Sequence, residues 1–156
     1  MNRSKLVTVA LFAVLTGCTN GVVVGMSNSD VSVQLPGGPK NAMQIAKQQI
    51  VAHGYTIGAT SGTETDGSFV TMPRPVPPDA QPAGSTAPQV YVLQVTAGAG
   101  GSLGGSTVRV LGYHVPANTP PGASSGQAGV PITTADRKLF EEMRNAAKWV
   151  RDAAKR

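Results

Sequence analysis

Few side chains in this chain carry reactive chemistry, and their spacing is as informative as their type. One cysteine, Cys18, and two histidines, His53 and His114, occur in 156 residues. A zinc centre draws three or four ligands from His, Cys, Asp and Glu. No carboxylate lies within four positions of either histidine, so the sequence offers no metal site and asks for no cofactor. A single cysteine also excludes an internal disulfide framework. Glu64 and Asp66 could act as a carboxylate pair, but they fall in a Thr/Gly/Ser turn, where acids solvate or bond the local backbone. Gly98, Gly100, Gly101, Gly104 and Gly105 could bring backbone N–H groups up to a phosphate. A nucleotide loop must then lead into a helix N-terminus, whereas Thr107-Val108-Arg109-Val110-Leu111 reads as a strand, so the glycines mark a hairpin tip. No serine acquires a His and an Asp partner from spacing, and the chain reads as non-catalytic.

What remains for Cys18 is its position. Arg3 and Lys5 precede eleven mostly apolar residues, Leu6 to Thr16, and then Gly17 and Cys18. A basic start, a short apolar core and small residues make a secretory signal. The run is too short to cross a hydrocarbon core, which takes about 20 apolar residues. Leu15-Thr16-Gly17-Cys18 resembles the lipobox of bacterial lipoproteins. The resemblance implies that the Cys18 sulfur receives a diacylglyceryl group, that the chain is cut before it, and that residues 1–17 are lost. Two or three acyl chains, at ~0.8 kcal/mol per buried methylene, hold a protein firmly to a bilayer. The same family's sorting pattern puts Asp after the cysteine of lipoproteins kept in the inner membrane. Thr19 stands there instead, which implies the inner leaflet of the outer membrane where a cell has two membranes.

The elements beyond the anchor follow from periodicity. Residues 18–36 read as a lipidated tether, with the alternation Val31, Val33, Leu35 marking at most one edge strand. Gly38-Pro39 opens a helix whose apolar positions Ala42, Met43, Ile45, Ala46, Ile50 and Val51 fall on one side, and Gly54 closes it. Tyr55–Ala59 and Ser68–Met72 predict a hairpin, and Val90–Thr96 with Thr107–Val115 a second. Pro- and Gly-rich stretches at 73–88, 97–106 and 116–132 read as loops. Thr133 stands three residues before Asp136, a helix-start pattern, and Leu139, Phe140, Met143, Ala146, Ala147, Val150, Ala153 and Ala154 form one apolar stripe behind it. The expected domain, residues 37–156, is α+β: an antiparallel sheet of four or five strands with an N-terminal and a C-terminal helix packed on one face.

Charge is confined to one end. Residues 19–135 carry four basic and four acidic side chains, while the last 21 carry seven and four. Any electrostatic partner would therefore meet the C-terminal helix, and Trp149, Arg144, Lys148 and Arg151 are its candidate contacts. Interleaved acids, with Trp149 alone available for stacking, argue against nucleic acid. The sequence thus leads to a lipid-anchored, non-catalytic envelope protein that binds another protein or a cell-wall component. A small-ligand carrier or inhibitor using the uncovered sheet face is the alternative, which a surface-exposed apolar cluster from Tyr91, Leu93, Tyr113 or their neighbours would favour. An envelope hydrolase, the weaker alternative, would need His53 or His114 beside a serine and a carboxylate. A Cys18→Ser variant is expected to incorporate no labelled fatty acid and to keep its leader when followed by metabolic labelling and immunoblotting; normal processing would mean the cleavage site was misread.

Overall fold

Valine alternation organises the sheet. In the computed structural model, described over residues 24–63, 66–81, 89–100, 104–120 and 129–156, the strands are β1 (Val24–Met26), β2 (Asp30–Leu35), β3 (Ile57–Gly62), β4 (Gly67–Thr71), β5 (Arg74–Pro75), β6 (Val90–Ala99), β7 (Ser106–Val115) and β8 (Val130–Pro131). The helices are α1 (Pro39–Ala52) and α2 (Arg137–Ala153), with a single 3-10 turn at Pro78–Ala80. The leader, Cys18 and the first tether residues lie outside the described residues. All pairings are antiparallel, in the order β1-β2-β7-β6-β4-β3. The two hairpins and two helices expected from the sequence are present, within the expected α+β class.

Register puts one residue in two under the helices. Val31, Val33 and Leu35 of β2 share a face with Val108 and Val110 of β7, Leu93 and Val95 of β6, and Phe69 of β4. All are buried in one cluster with Ala42, Ala46 and Ile50 of α1 and Leu139, Met143 and Val150 of α2. Burying each such aliphatic side chain contributes roughly 1.5–3 kcal/mol, and only this face of the sheet is apolar enough to hold both helices. The opposite face carries Asp30, Ser32, Thr107, Arg109, Gln94 and Thr96, with a small cluster of Val70, Val92 and Val115 at one end. There Arg109 Nε donates to Asp30 Oδ2 at 3.0 Å. The Ser27 hydroxyl and then this guanidinium, working against partial burial, hold the Asp30 carboxyl below its ordinary range.

Several features differ from the sequence expectation. Residues 24–35 are not tether: β2 pairs with both β1 and β7 and is an inner strand. Its three apolar residues are too few to reveal that it sits between partners. The sheet is correspondingly wider, with six strands along its main path and two short additions, β5 beside β6 and β8 beside β7. The proline-rich segment is also not wholly solvated, because Arg74 and Pro75 pair with Tyr91 and Val90 and Val76 is buried. Pro75 is tolerated in a two-residue strand at the margin of the sheet. The other two expected loops are shorter than their composition suggests: β6 runs on to Ala99 and β7 begins at Ser106, while β8 and the buried Ile132 occupy the end of the third.

Helix ends follow local chemistry. Gly38 precedes α1 and Pro39 occupies its first turn, where a missing N–H costs nothing. At the other end Tyr55 N donates to Ile50 O and Gly54 N to Val51 O, with Gly54 at φ +84°; this paired closure requires the left-handed conformation that glycine accepts. The start of α2 differs in detail from the expected cap. Asp136 itself occupies the cap position, its carboxylate accepting from Thr133 N at 3.1 Å while the Thr133 hydroxyl accepts from Ala135 N. Gly112 of β7 lets α2 sit close, since a Cβ there would lie 2.9 Å from Met143 Sδ and 2.8 Å from Ile132 Cδ1.

A buried hydroxyl bridges the interval between β4 and β5 along β6. Pairing with β4 stops at Gln94 and resumes with β5 at Tyr91. In that interval Leu93 N donates to Thr71 Oγ1 at 3.0 Å, and Thr71 is 1% exposed. A Thr71→Val variant keeps the shape but strands the Leu93 N–H, so urea unfolding is expected to show a loss of about 1–3 kcal/mol; unchanged stability would show that the amide has another acceptor.

Candidate functional site

Two regions collect the polar and aromatic side chains, and both depend on α2. The first is internal. The Tyr55 hydroxyl, just past α1, donates to Glu142 Oε2 of α2 at 3.0 Å and lies 3.2 Å from the Tyr91 hydroxyl of β6. Both tyrosines are buried. Loss of solvent, followed by the neighbouring Tyr91 and the Glu142 carboxylate, pushes the Tyr55 hydroxyl far above its ordinary titration range. Arg74 of β5 places its guanidinium carbon 4.3 Å from the Tyr55 ring centroid, a cation–π geometry. Trp149 of α2 tilts against Tyr55 at 6.5 Å and stacks on His53 at 3.8 Å with the planes 6° apart. This assembly ties the end of α1 to α2, β5 and β6. Its residues come from separate parts of the chain, and nothing in their spacing announced it.

The second region is external. Arg137, Arg144, Lys148 and Arg151 on α2, and Lys155 just past its end, recur at intervals of three, four and seven. They form a stripe turned away from Leu139, Met143, Ala146 and Val150, which are buried. Arg137, Arg144, Lys148 and Lys155 are exposed and Arg151 is half-exposed. Arg151 Nε contacts Asp152 at 2.9 Å, and that hydrogen bond holds the Asp152 carboxyl below its ordinary value. Lys138 points along a different flank and pairs with Asp79. The candidate contacts therefore divide. Arg144, Lys148 and Arg151 share the outward stripe, whereas Trp149 is half-buried with one indole face covered by His53.

The histidines find no catalytic setting among the described residues. His114 Nε2 lies 3.7 Å from Asp136 Oδ1, beyond hydrogen-bond range, and its buried Nδ1 has no hydrogen-bond partner among them. His53 is exposed and stacked on Trp149. Among the described residues no group of three His, Cys, Asp or Glu could hold a metal. Of the carboxylate pair, Asp66 closes the β3–β4 turn by accepting from Thr63 N, and Glu64 lies outside the described residues. Gly100-Gly101-Ser102-Leu103-Gly104 and Gly122-Ala123-Ser124-Ser125-Gly126 carry the Gly-x-Ser-x-Gly spacing of a nucleophile elbow. That elbow stands between a strand and a helix, and the chain after Gly104 enters β7; the second string lies outside the described residues.

The residues whose exposure together would favour a carrier are divided by the register. Tyr91 and Leu93 belong to the helix-covered core, and only Tyr113 belongs to the opposite face, beside Val92 and Val115. Among the described residues no helix is long and apolar enough to cross a membrane. Scans against protein-family models and against curated proteins found no match.

A Tyr55→Phe variant removes the donor to Glu142 and the partner of Tyr91, with an expected cost of about 1–2 kcal/mol at neutral pH. Because the folded hydroxyl holds its proton more tightly than the unfolded one, the native protein loses stability as pH rises above ~10. Chemical denaturation between neutral and alkaline pH should show a smaller alkaline loss in the variant. Identical alkaline limbs would mean that Tyr55 titrates alike in both states.

Proposed function

We propose that the chain is a lipid-anchored, non-catalytic envelope protein, held to a membrane through acyl chains on Cys18, whose α+β domain docks on an acidic protein or cell-wall component. The observation that carries the docking half is the outward stripe of α2. Four cations of α2, and Lys155 just past its end, share with the lone exposed acid Glu141 the side of the helix opposite the core, so the protein cannot rotate this net positive surface away from water. Such a surface favours an anionic partner, each basic group near a charged surface adding on the order of 1 kcal/mol. The internal ties from Trp149 and Tyr55 support the same reading, since a docking face works best on a rigid element. The anchor half is supported by the lipobox resemblance and the short apolar leader.

Affinity purification from crosslinked envelopes, through a tag at the C-terminal end, tests the reading. The native chain is expected to recover one reproducible acidic component, and an Arg144→Glu/Lys148→Glu/Arg151→Glu variant at least about tenfold less of it. Equal recovery by both would remove α2 from the interaction, and co-elution of a small molecule in place of a partner would favour a carrier.

A further inference from the structure

The sheet has a second feature suited to a partner, on the side away from β1. β3 is the last strand on that side, and no described strand pairs with its outer edge. Thr63 N bonds Asp66 O across the turn, so by antiparallel alternation Ser61 faces its ladder inward while Thr60 and Gly62 turn their N–H and C=O groups outward. Exposed edges are normally blunted by lysine, proline or brevity. β3 runs six residues, Ile-Gly-Ala-Thr-Ser-Gly, without a charge or a proline, and Thr60, Ser61 and Gly62 are exposed.

Beside this edge runs a groove of about 410 Å³, walled on one side by α1. Lys40, Gln44, Lys47 and Gln48 line that wall, with Met43 and Gly67 lower down. None of the described lining residues is acidic, and α1 contains no Asp or Glu. Its N-terminus opens onto the same groove through Pro39 without a side-chain cap, which adds positive potential there.

We infer that β3 accepts an extended acidic peptide segment of a partner protein as an added antiparallel strand, with alternate carboxylates facing Lys47 and the start of α1. The inference rests on the reading of the chain as a binding module and supplies the chemistry of a second contact. Backbone bonds to Thr60 and Gly62 give the affinity of strand addition, and the side chains directed at the groove give its selectivity. A second copy of this chain is the poorer occupant. Two β3 strands paired about a two-fold axis perpendicular to the sheet would set both α1 helices, which contain no acid, on the same face, bringing like charge to like.

Fluorescence anisotropy with full-length protein in neutral detergent tests this directly, using a labelled peptide of about eight residues that alternates glutamate and valine. Binding is expected, weakened about tenfold by Lys47→Glu. A Thr60→Pro change, which removes an outward N–H that the sheet ladder does not use, is expected to abolish it while leaving the circular dichroism unchanged. N-methylation of the peptide backbone should act like the proline, and a lysine-for-glutamate peptide should not bind. Equal affinity for the acidic and basic peptides, or binding indifferent to both Lys47→Glu and peptide N-methylation, would overturn the inference. So would a dimer, seen by light scattering, that Thr60→Pro dissolves. The α2 triple variant should bind the peptide normally, so failure at β3 and failure of docking through α2 are separable.

Discussion

Burial on one side of the sheet is the constraint from which the other features follow. Val31, Val33, Leu35, Leu93, Val95, Val108 and Val110 stand on a single face, and that face can be dried only by apolar surface brought from elsewhere. Both helices are consumed in doing so, α1 over β4, β6 and β7 and α2 over β2 and β7. Once its apolar stripe is committed, α2 has no freedom in where its cations point. The same commitment of α1 leaves its Lys40-Gln44-Lys47 side overlooking the β3 edge. Packing thus decides the electrostatics of both surfaces.

The polar groups that this packing buries are handled by specific partners. Thr71 supplies an acceptor where β4 ends and β5 has not yet begun. Tyr55 and Tyr91 meet under the helices with Glu142, a carboxylate half-buried at the margin of the core. A phenol in such surroundings stays neutral and donates, which suits it to hold two helices and a strand together without a buried charge. Trp149 and His53 extend the contact to the surface. These ties lie where α1 and α2 meet, the junction on which the orientation of the basic stripe depends.

The repeating elements were legible in the sequence because periodicity reports burial directly. The apolar stripe of α2, Leu139 through Val150, and the Pro39 and Gly54 boundaries of α1 carry local signals strong enough to stand alone. β2 did not, because six residues with three apolar positions look the same at an edge as in the middle, and only its pairing with β7 distinguishes them. β5 was hidden by its prolines, which exclude a central strand but permit a two-residue pairing. For the site, the outward position of Arg144, Lys148 and Arg151 followed from helical spacing. The role of Trp149 did not, because His53 is distant in the chain and stacks on it only through the fold. The β3 edge has no sequence signature at all: edge status belongs to topology.

The proposed function joins a lipid anchor to a domain whose basic helix is locked facing outward. Lysine-acetylation footprinting of the protein in intact envelopes, compared with the same protein in neutral detergent, tests that union most directly. Lys148 and Lys155 should lose most of their reactivity in the envelope, while Lys138, on another flank and paired with Asp79, should react alike in both. Equal labelling of Lys148 and Lys155 in the two settings would contradict the account, because the surface on which it rests would then be facing nothing.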